Sequence, residues 1–332
     1  MKRVSIQDIA DRLGVSKGTV SLVLSGKAKG NRISENMTIK VKQMADEMNY
    51  YPNEIARSLS TGITMSIGVI VTDISNEFFG KFTFYIQEQA KKHGYTVITT
   101  NSNESLEEFN NAVTTLLNQR VAGIIFVPVA EGYEVVDKIM KRNLPLVQID
   151  RYHPDIKASY VIVNNYKISA EVTELMIKKG NKRIAIICYD INLNALTERR
   201  QGCIDALKKN NLFDPALVKD INYENQEKEI KDAIIGLKNN PNKIDAIFFC
   251  SRKVFITGLK YMHREGVKIP EEMEVVCFDK IDSFAITNIP INYIEQPIKK
   301  MGKKAVDILI KQIKGANDIE QLVFDAEIKH FN

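Results

Sequence analysis

Two sets of residues in this sequence have types and spacings that could do chemistry. The first is Ser16, Lys17, Gly18 and Ser21, small hydrogen-bonding groups and one cation at the start of a short amphipathic segment, followed by Lys27, Lys29 and Arg32. Hydroxyls and an ammonium at a helix N-terminus can reach base edges in a DNA major groove, and trailing cations can neutralise phosphates. The second set is dispersed along the chain: Phe78, Phe79, Asp150, Arg199, Ser251, Arg252 and Asp279. Aromatic faces can stack on a flat ligand or a sugar. Strand-end carboxylates can accept hydroxyl hydrogen bonds, and an arginine fork can hold a carboxylate, a phosphate or a hydroxyl pair. This is chemistry of binding rather than turnover. No GxGxxG follows the first strand, and there is no Walker loop and no Gly-x-Ser-x-Gly elbow. His93, His153, His263 and His330 have no metal-ligand spacing. The expectation is a non-enzyme with no cofactor and no metal.

The first set needs a small helical head to position it. Ile6, Ile9, Ala10 and Leu13 fall at helical spacing, with Ser5 and Asp8 as an N-cap pair. Gly14 breaks this helix, Val15 packs the turn, and Ser16 caps a second helix with Val20, Val23 and Leu24 on its apolar face. Two short helices joined by a tight glycine turn read as a helix-turn-helix. A loop marked by Gly26 and Gly30 follows. Ser34 then caps a third helix with Ile39, Val41, Met44, Ala45 and Met48 as apolar positions. Residues 1–60 hold ten Lys/Arg against six Asp/Glu, so most of the chain's net charge of +5 sits there; this suits contact with phosphate, and a solvated basic helix face would look similar. A segment 52–62 comes next. It is too short to be helical alone in water, yet it carries Ile55 and Leu59, which a plain linker does not need.

The second set needs an α/β body. From Met65 onward, apolar runs such as SIGVIVTDI, YTVITTN, VAGIIFVPV, RIAIICYD, AIFFC and EVVCFD alternate with helical segments. This is the pattern of parallel sheets, long enough for two successive lobes. Ligands in such sheets bind outside the carboxyl ends of the strands, so two facing lobes make a cleft. The four cysteines, Cys188, Cys203, Cys250 and Cys277, share no metal spacing, and buried reduced thiols are expected. No apolar run reaches the roughly 18 residues of a membrane span. The polar N-terminus is not a signal peptide. A cytoplasmic, nucleoid-associated protein with no membrane partner is expected.

The run DIADRLGVSKGTVS resembles the head of the LacI/GalR family of bacterial transcription regulators. Ile9-Ala10, Gly14-Val15-Ser16 and Thr19-Val20-Ser21 stand in that family's register. Further fragments are similar to the family in order. They are Asp73 to Phe79, Arg120 to Ile125, Leu144-Pro145 to Asp150-Arg151, Gly180 to Ile184, Arg199 to Gly202, Val276 to Asp279, and Gln296-Pro297 with Met301-Gly302. The resemblance implies an all-α helix-turn-helix head over residues 1–51 and a hinge helix over 52–62. It also implies a periplasmic-binding-protein-like core of two Rossmann-like lobes over 63–332. Lobe 1 would span about 63–160 plus 297–318, and lobe 2 about 161–293 plus 319–332. It adds Ser5, Thr19, Tyr50, Asn53, Ala56 and Leu59 to the DNA-binding residues, with Leu59 wedging into the minor groove. It adds Asp73, Tyr223 and Gln296 to the effector-binding residues.

Some positions depart from the family pattern. Ser251-Arg252 stands where Asn-Asp is usual, and Lys280 replaces an acid after Asp279. Two extra cations near strand ends suggest an anionic effector, a sugar acid or phosphate. Against this, Arg252 and Lys280 could point to solvent or pair with Asp282. Leu22 also replaces a common arginine in the second helix, so base preference is not carried over. The whole reads as a homodimeric, ligand-controlled repressor on a pseudo-palindromic operator in double-stranded DNA, regulating a carbohydrate or related operon. An activator or corepressor-dependent regulator is the alternative. A solute-binding protein would have no use for the head. With no heptad stretch after Phe331, a dimer rather than a tethered tetramer is expected.

Overall fold

The computed structural model describes residues 4–50, 64–282 and 291–329. The expected hinge, with Asn53, Ala56 and Leu59, lies outside the described residues. The chain divides into two compact units, Met1–Thr64 and Met65–Asn332.

The head contains α1 (Ile6–Leu13), α2 (Lys17–Leu24) and α3 (Glu35–Glu47). Ser5 opens α1 with a capping box: its hydroxyl accepts from the Asp8 amide, and its own amide donates to the Asp8 carboxylate at 2.7 Å. Gly14 ends α1 at φ 65°, in the left-handed region where a side chain would be strained. Ile9, Ala10, Val20, Val23, Val41 and Ala45 form the head's buried core. Ile39, expected on the apolar face of α3, is instead 51% exposed. The buried stripe runs through Met37, Val41, Met44, Ala45 and Met48, a helical period that leaves residue 39 on the opposite side.

The second unit begins with β1 (Ser66–Val71), α4 (Glu77–Lys92), β2 (Thr96–Asn101), α5 (Leu106–Asn118), β3 (Ile124–Phe126), α6 (Tyr133–Lys141), β4 (Leu146–Ile149) and β5 (Ser159–Val163). It continues with α7 (Asn165–Lys178), β6 (Ile184–Tyr189), α8 (Asn194–Lys209), β7 (Val218–Ile221), α9 (Gln226–Lys238), β8 (Ala246–Phe249), α10 (Arg252–Arg264), β9 (Glu274–Phe278) and β10 (Asn292–Glu295). It closes with α11 (Ile298–Ile313), β11 (Gln321–Phe324) and β12 (Glu327–Lys329).

These strands build two six-stranded sheets, in the orders β11-β5-β4-β3-β1-β2 and β12-β10-β9-β8-β6-β7. Every pairing is parallel except β12 with β10. In β1, Ile70 packs among α5 and α6 residues such as Leu116 and Val136, while Val69 and Val71 face the other core. Both faces of the first sheet are therefore covered, which is why its strands read as unbroken apolar runs.

The lobe boundaries differ from the expected ones. β5 stays in the first sheet through Val163, and β11 pairs with it from Gln321↔Tyr160 to Phe324↔Val163. Residues 161–163 and 321–324 thus belong to lobe 1, because backbone pairing to β4 and β5 holds them there. Only β12 returns to lobe 2. The chain crosses between the lobes around Asn164, Gln296-Pro297 and Asp325-Ala326. All four cysteines are buried and free. Among the described residues, no helix is long and apolar enough to cross a membrane.

Candidate functional site

The head presents its polar residues on the outside of α2. Ser16, Lys17, Gly18 and Ser21 are exposed and Thr19 is half-buried. Ser16 caps α2: its hydroxyl accepts from the Thr19 amide at 3.1 Å and lies 2.9 Å from the Thr19 hydroxyl. The hydroxyls of Ser5 and Ser16 therefore hold the helix starts, while Lys17, Gly18 and Ser21 carry no such duty. Lys27, Lys29 and Arg32 are exposed in the following loop. There Lys29–Asn31 forms a 3₁₀ turn and Arg32 takes φ 55°. Tyr50, half-buried, packs against the head core. These exposed polar and cationic groups stand on three helices packed around one small core.

In the second unit, a cleft opens at the carboxyl ends of the strands of both sheets. Its lining includes Asp73, Phe78, Phe79, Asp150, Arg199, Tyr223, Ser251, Arg252 and Asp279, all expected from sequence. Asp150 and Asp279 leave β4 and β9 at φ 67° and 92°. Both carboxylates are buried, and they line one cleft from the two lobes. Arg199 stands between them. Its Nε donates to Asn165 Oδ1 at 2.8 Å and its Nη1 to the Cys250 carbonyl at 3.0 Å. Its Nη2 lies 3.9 Å from Asp150 Oδ1, and the guanidinium carbon sits 3.5 Å above the Phe278 ring.

Burial pushes the Asp150 carboxyl up to about 6, against the opposing pull of Arg199 and Arg151. Burial also raises Asp279, again opposed by Arg199 and by the hydrogen bond from Gln296. Asp73 goes the other way, lowered chiefly by the Ser75 hydroxyl. Phe78 and Phe79 meet edge to face at 5.0 Å in the first turn of α4, and Tyr189 and Tyr223 do the same at 5.2 Å opposite. Two buried carboxyl groups, one arginine and four aromatic rings suit a small hydroxyl-bearing ligand.

Arg199 lies in the second turn of α8, which starts at Asn194, with its fork already tethered. Two expectations are corrected here. Gln296 does not line the cleft. It is buried behind Asp279 and donates Nε2 to Asp279 Oδ1 at 2.6 Å, because the chain is crossing between lobes at that point. Lys280 does not reach the cleft either. It pairs with Glu295 at 3.2 Å beside a separate groove, and Asp282 is held by Lys81 instead.

Sequence reasoning also missed partners. Arg151 holds Glu104 through two hydrogen bonds of 2.6 and 2.8 Å at the rim of lobe 1. Glu77 of α4 pairs with Arg252 of α10 across the lobes. Arg151 was visible as the neighbour of Asp150. Nothing in the linear pattern marked Glu104 or Glu77.

Residues 67–317 match the pattern of the periplasmic binding protein domain, and residues 5–53 that of the bacterial regulatory proteins of the lacI family. The HTH-type transcriptional repressor PurR of Vibrio atlanticus is 29% identical over 326 residues, covering 97% of this chain and 95% of its own. The ribose operon repressor of Haemophilus influenzae is 24% identical over 318 residues, 95% of this chain and 93% of its own. Among solved structures, the lac repressor dimer bound to operator and the anti-inducer ONPF aligns with a TM-score of 0.86 at 20% identity, over 99% of this chain and 98% of that one. The last likeness is one of fold. Head, sheets and family patterns agree: the chain belongs to the lacI family of bacterial regulatory proteins, as a helix-turn-helix DNA-binding transcriptional regulator with a periplasmic-binding-protein-like effector domain.

Proposed function

We propose that this chain is a ligand-controlled repressor that acts as a homodimer on a pseudo-palindromic operator in the cytoplasm. The exposed residues at the start of α2 read base edges, while Lys27, Lys29 and Arg32 hold phosphates. The segment around Asn53, Ala56 and Leu59 enters the minor groove between the two half-sites. A small hydroxyl-rich effector, a sugar or a sugar acid or phosphate, binds in the cleft and shifts the balance between DNA-binding and released states. It can do so only through different affinities for those states.

The observation that carries this reading is the Asp150–Arg199–Asp279 cluster, contributed by both lobes to one cleft. A ligand bonded to it changes how the lobes sit against each other. The test is selection from random duplexes with the full chain at a fixed salt concentration. A two-fold symmetric site with a deformable central step supports the reading. Salt-sensitive binding without any preferred sequence overturns it. In the same assay, Leu59→Ala is expected to weaken operator binding at least tenfold while leaving ligand binding unchanged; equal operator affinity would remove the hinge assignment.

A further inference from the structure

The first turn of α10 faces the first turn of α4 across the cleft. Arg252, with 12% of its side chain exposed, gives Nη2 to Glu77 of the other lobe. Its Nη1 is buried with no partner. So is the hydroxyl of the neighbouring Ser251, which does not cap its own helix. This corner therefore holds more donors than Glu77 uses. Unmet buried donors are unfavourable, and an anionic ligand that brings further acceptor oxygens beside its charged group would satisfy them where the single arm of Glu77 does not.

Two further observations make Glu77 easy to displace. Its other oxygen lies 2.8 Å from Lys81 on the same helix, so a Glu77 released by Arg252 keeps a cationic partner. Lys81 in turn bonds Asp282 of lobe 2. Burial alone would lower its ammonium, but the hydrogen bonds to Asp282 and Glu77 outweigh that and raise it. The cleft has a volume of about 90 Å³, whereas ligand pockets commonly hold about 300 Å³ or more. A larger ligand has to move a side chain there, and Arg252, which lines the cleft, is tied to Glu77 of the adjoining groove.

We infer that Glu77 is a built-in, displaceable occupant of an anion subsite formed by Arg252 and Ser251, and that the effector carries a carboxylate or phosphate that takes its place. The inference rests on the cleft being the effector site. An anionic ligand exchanges one partner of Arg252 for another and breaks a tie between the lobes in doing so. A neutral ligand of the same shape has nothing to exchange, so the tie stays closed against it. Arg252 then serves as the specificity-determining residue, and Glu77 sets the threshold an effector must exceed.

The experiment is isothermal titration calorimetry of inorganic phosphate, and separately of acetate, into the full chain and its variants. Glu77→Gln, which keeps shape and removes charge, is expected to bind at least one of the two anions tenfold or more tightly than the parent. Adding Arg252→Gln is expected to abolish that gain, and adding Ser251→Ala to reduce it severalfold. Circular dichroism melts of each variant show that the fold is kept. A Glu77→Gln chain that gains affinity for neither anion overturns the inference. So does a gain that survives Arg252→Gln, which would mean an adventitious ion only, held elsewhere on the chain. No DNA enters the readout, so failure here leaves operator recognition standing, and failure of operator selection leaves the subsite standing.

Discussion

Asp150 ends β4 in full burial, and its carboxyl is lifted from an ordinary 3.8 to about 6. The folded chain thus holds that proton more tightly than the unfolded chain does. Asp150's contribution to stability is accordingly greatest at low pH and is lost as pH rises from about 4 through 6. Asp150→Asn removes this burden. Urea unfolding at pH 7.5 should show the variant more stable than the parent by on the order of 2 kcal/mol, with the difference shrinking toward pH 5. A parent that is the more stable of the two at pH 7.5 would mean that Arg199 holds the anion firmly. Asp150, Asp279 and Arg199 could be read in the sequence because strand ends and short motifs place them. Gln296 and Lys280 could not, because the direction of a side chain where a strand leaves its sheet is decided by the crossover and by Glu295. Glu77 was hidden for a similar reason: its partner lies 175 residues away on another lobe.

At the scale of elements, α7 and α8 pack so closely that a methyl group on Gly202 would run into the Tyr166 carbonyl oxygen. Backbone cannot give way as a side-chain tip can. Gly202→Ala is expected to destabilise the second unit by about 2 kcal/mol, measured as a fall in its unfolding midpoint. Gly68, where a methyl would meet Leu116 at 2.5 Å, is the milder counterpart in lobe 1 because the leucine can rotate. In the loop after α2, Lys27 is exposed. Lys27→Ala should weaken operator binding across sequences and reduce the log–log salt slope by about 1; an unchanged slope would take Lys27 off the phosphate backbone. Most helices and strands were legible because buried parallel strands and capped helices announce themselves. β11 and β12 were not. They are short, half-exposed edge strands, and their sheet membership depends on partners far away in sequence. Ile39 was misplaced because an apolar residue near a helical stripe is not always on it.

The whole molecule is built from two units whose hydrophobic cores are separate. A fragment starting at Met65 should fold and show the same ligand response and unfolding midpoint as the full chain, by circular dichroism and calorimetry. A lowered midpoint would mean that the head stabilises the body. Within the body, the lobes are interleaved: lobe 1 takes α11 and β11 from the chain's last fifth, and lobe 2 takes β12 after them. This arrangement has a consequence on the ribosome. Neither lobe can complete its sheet until residues 321–329 have been synthesised. A message cut short even slightly before that point yields two lobes each missing an edge strand, and an open strand edge is a template for aggregation.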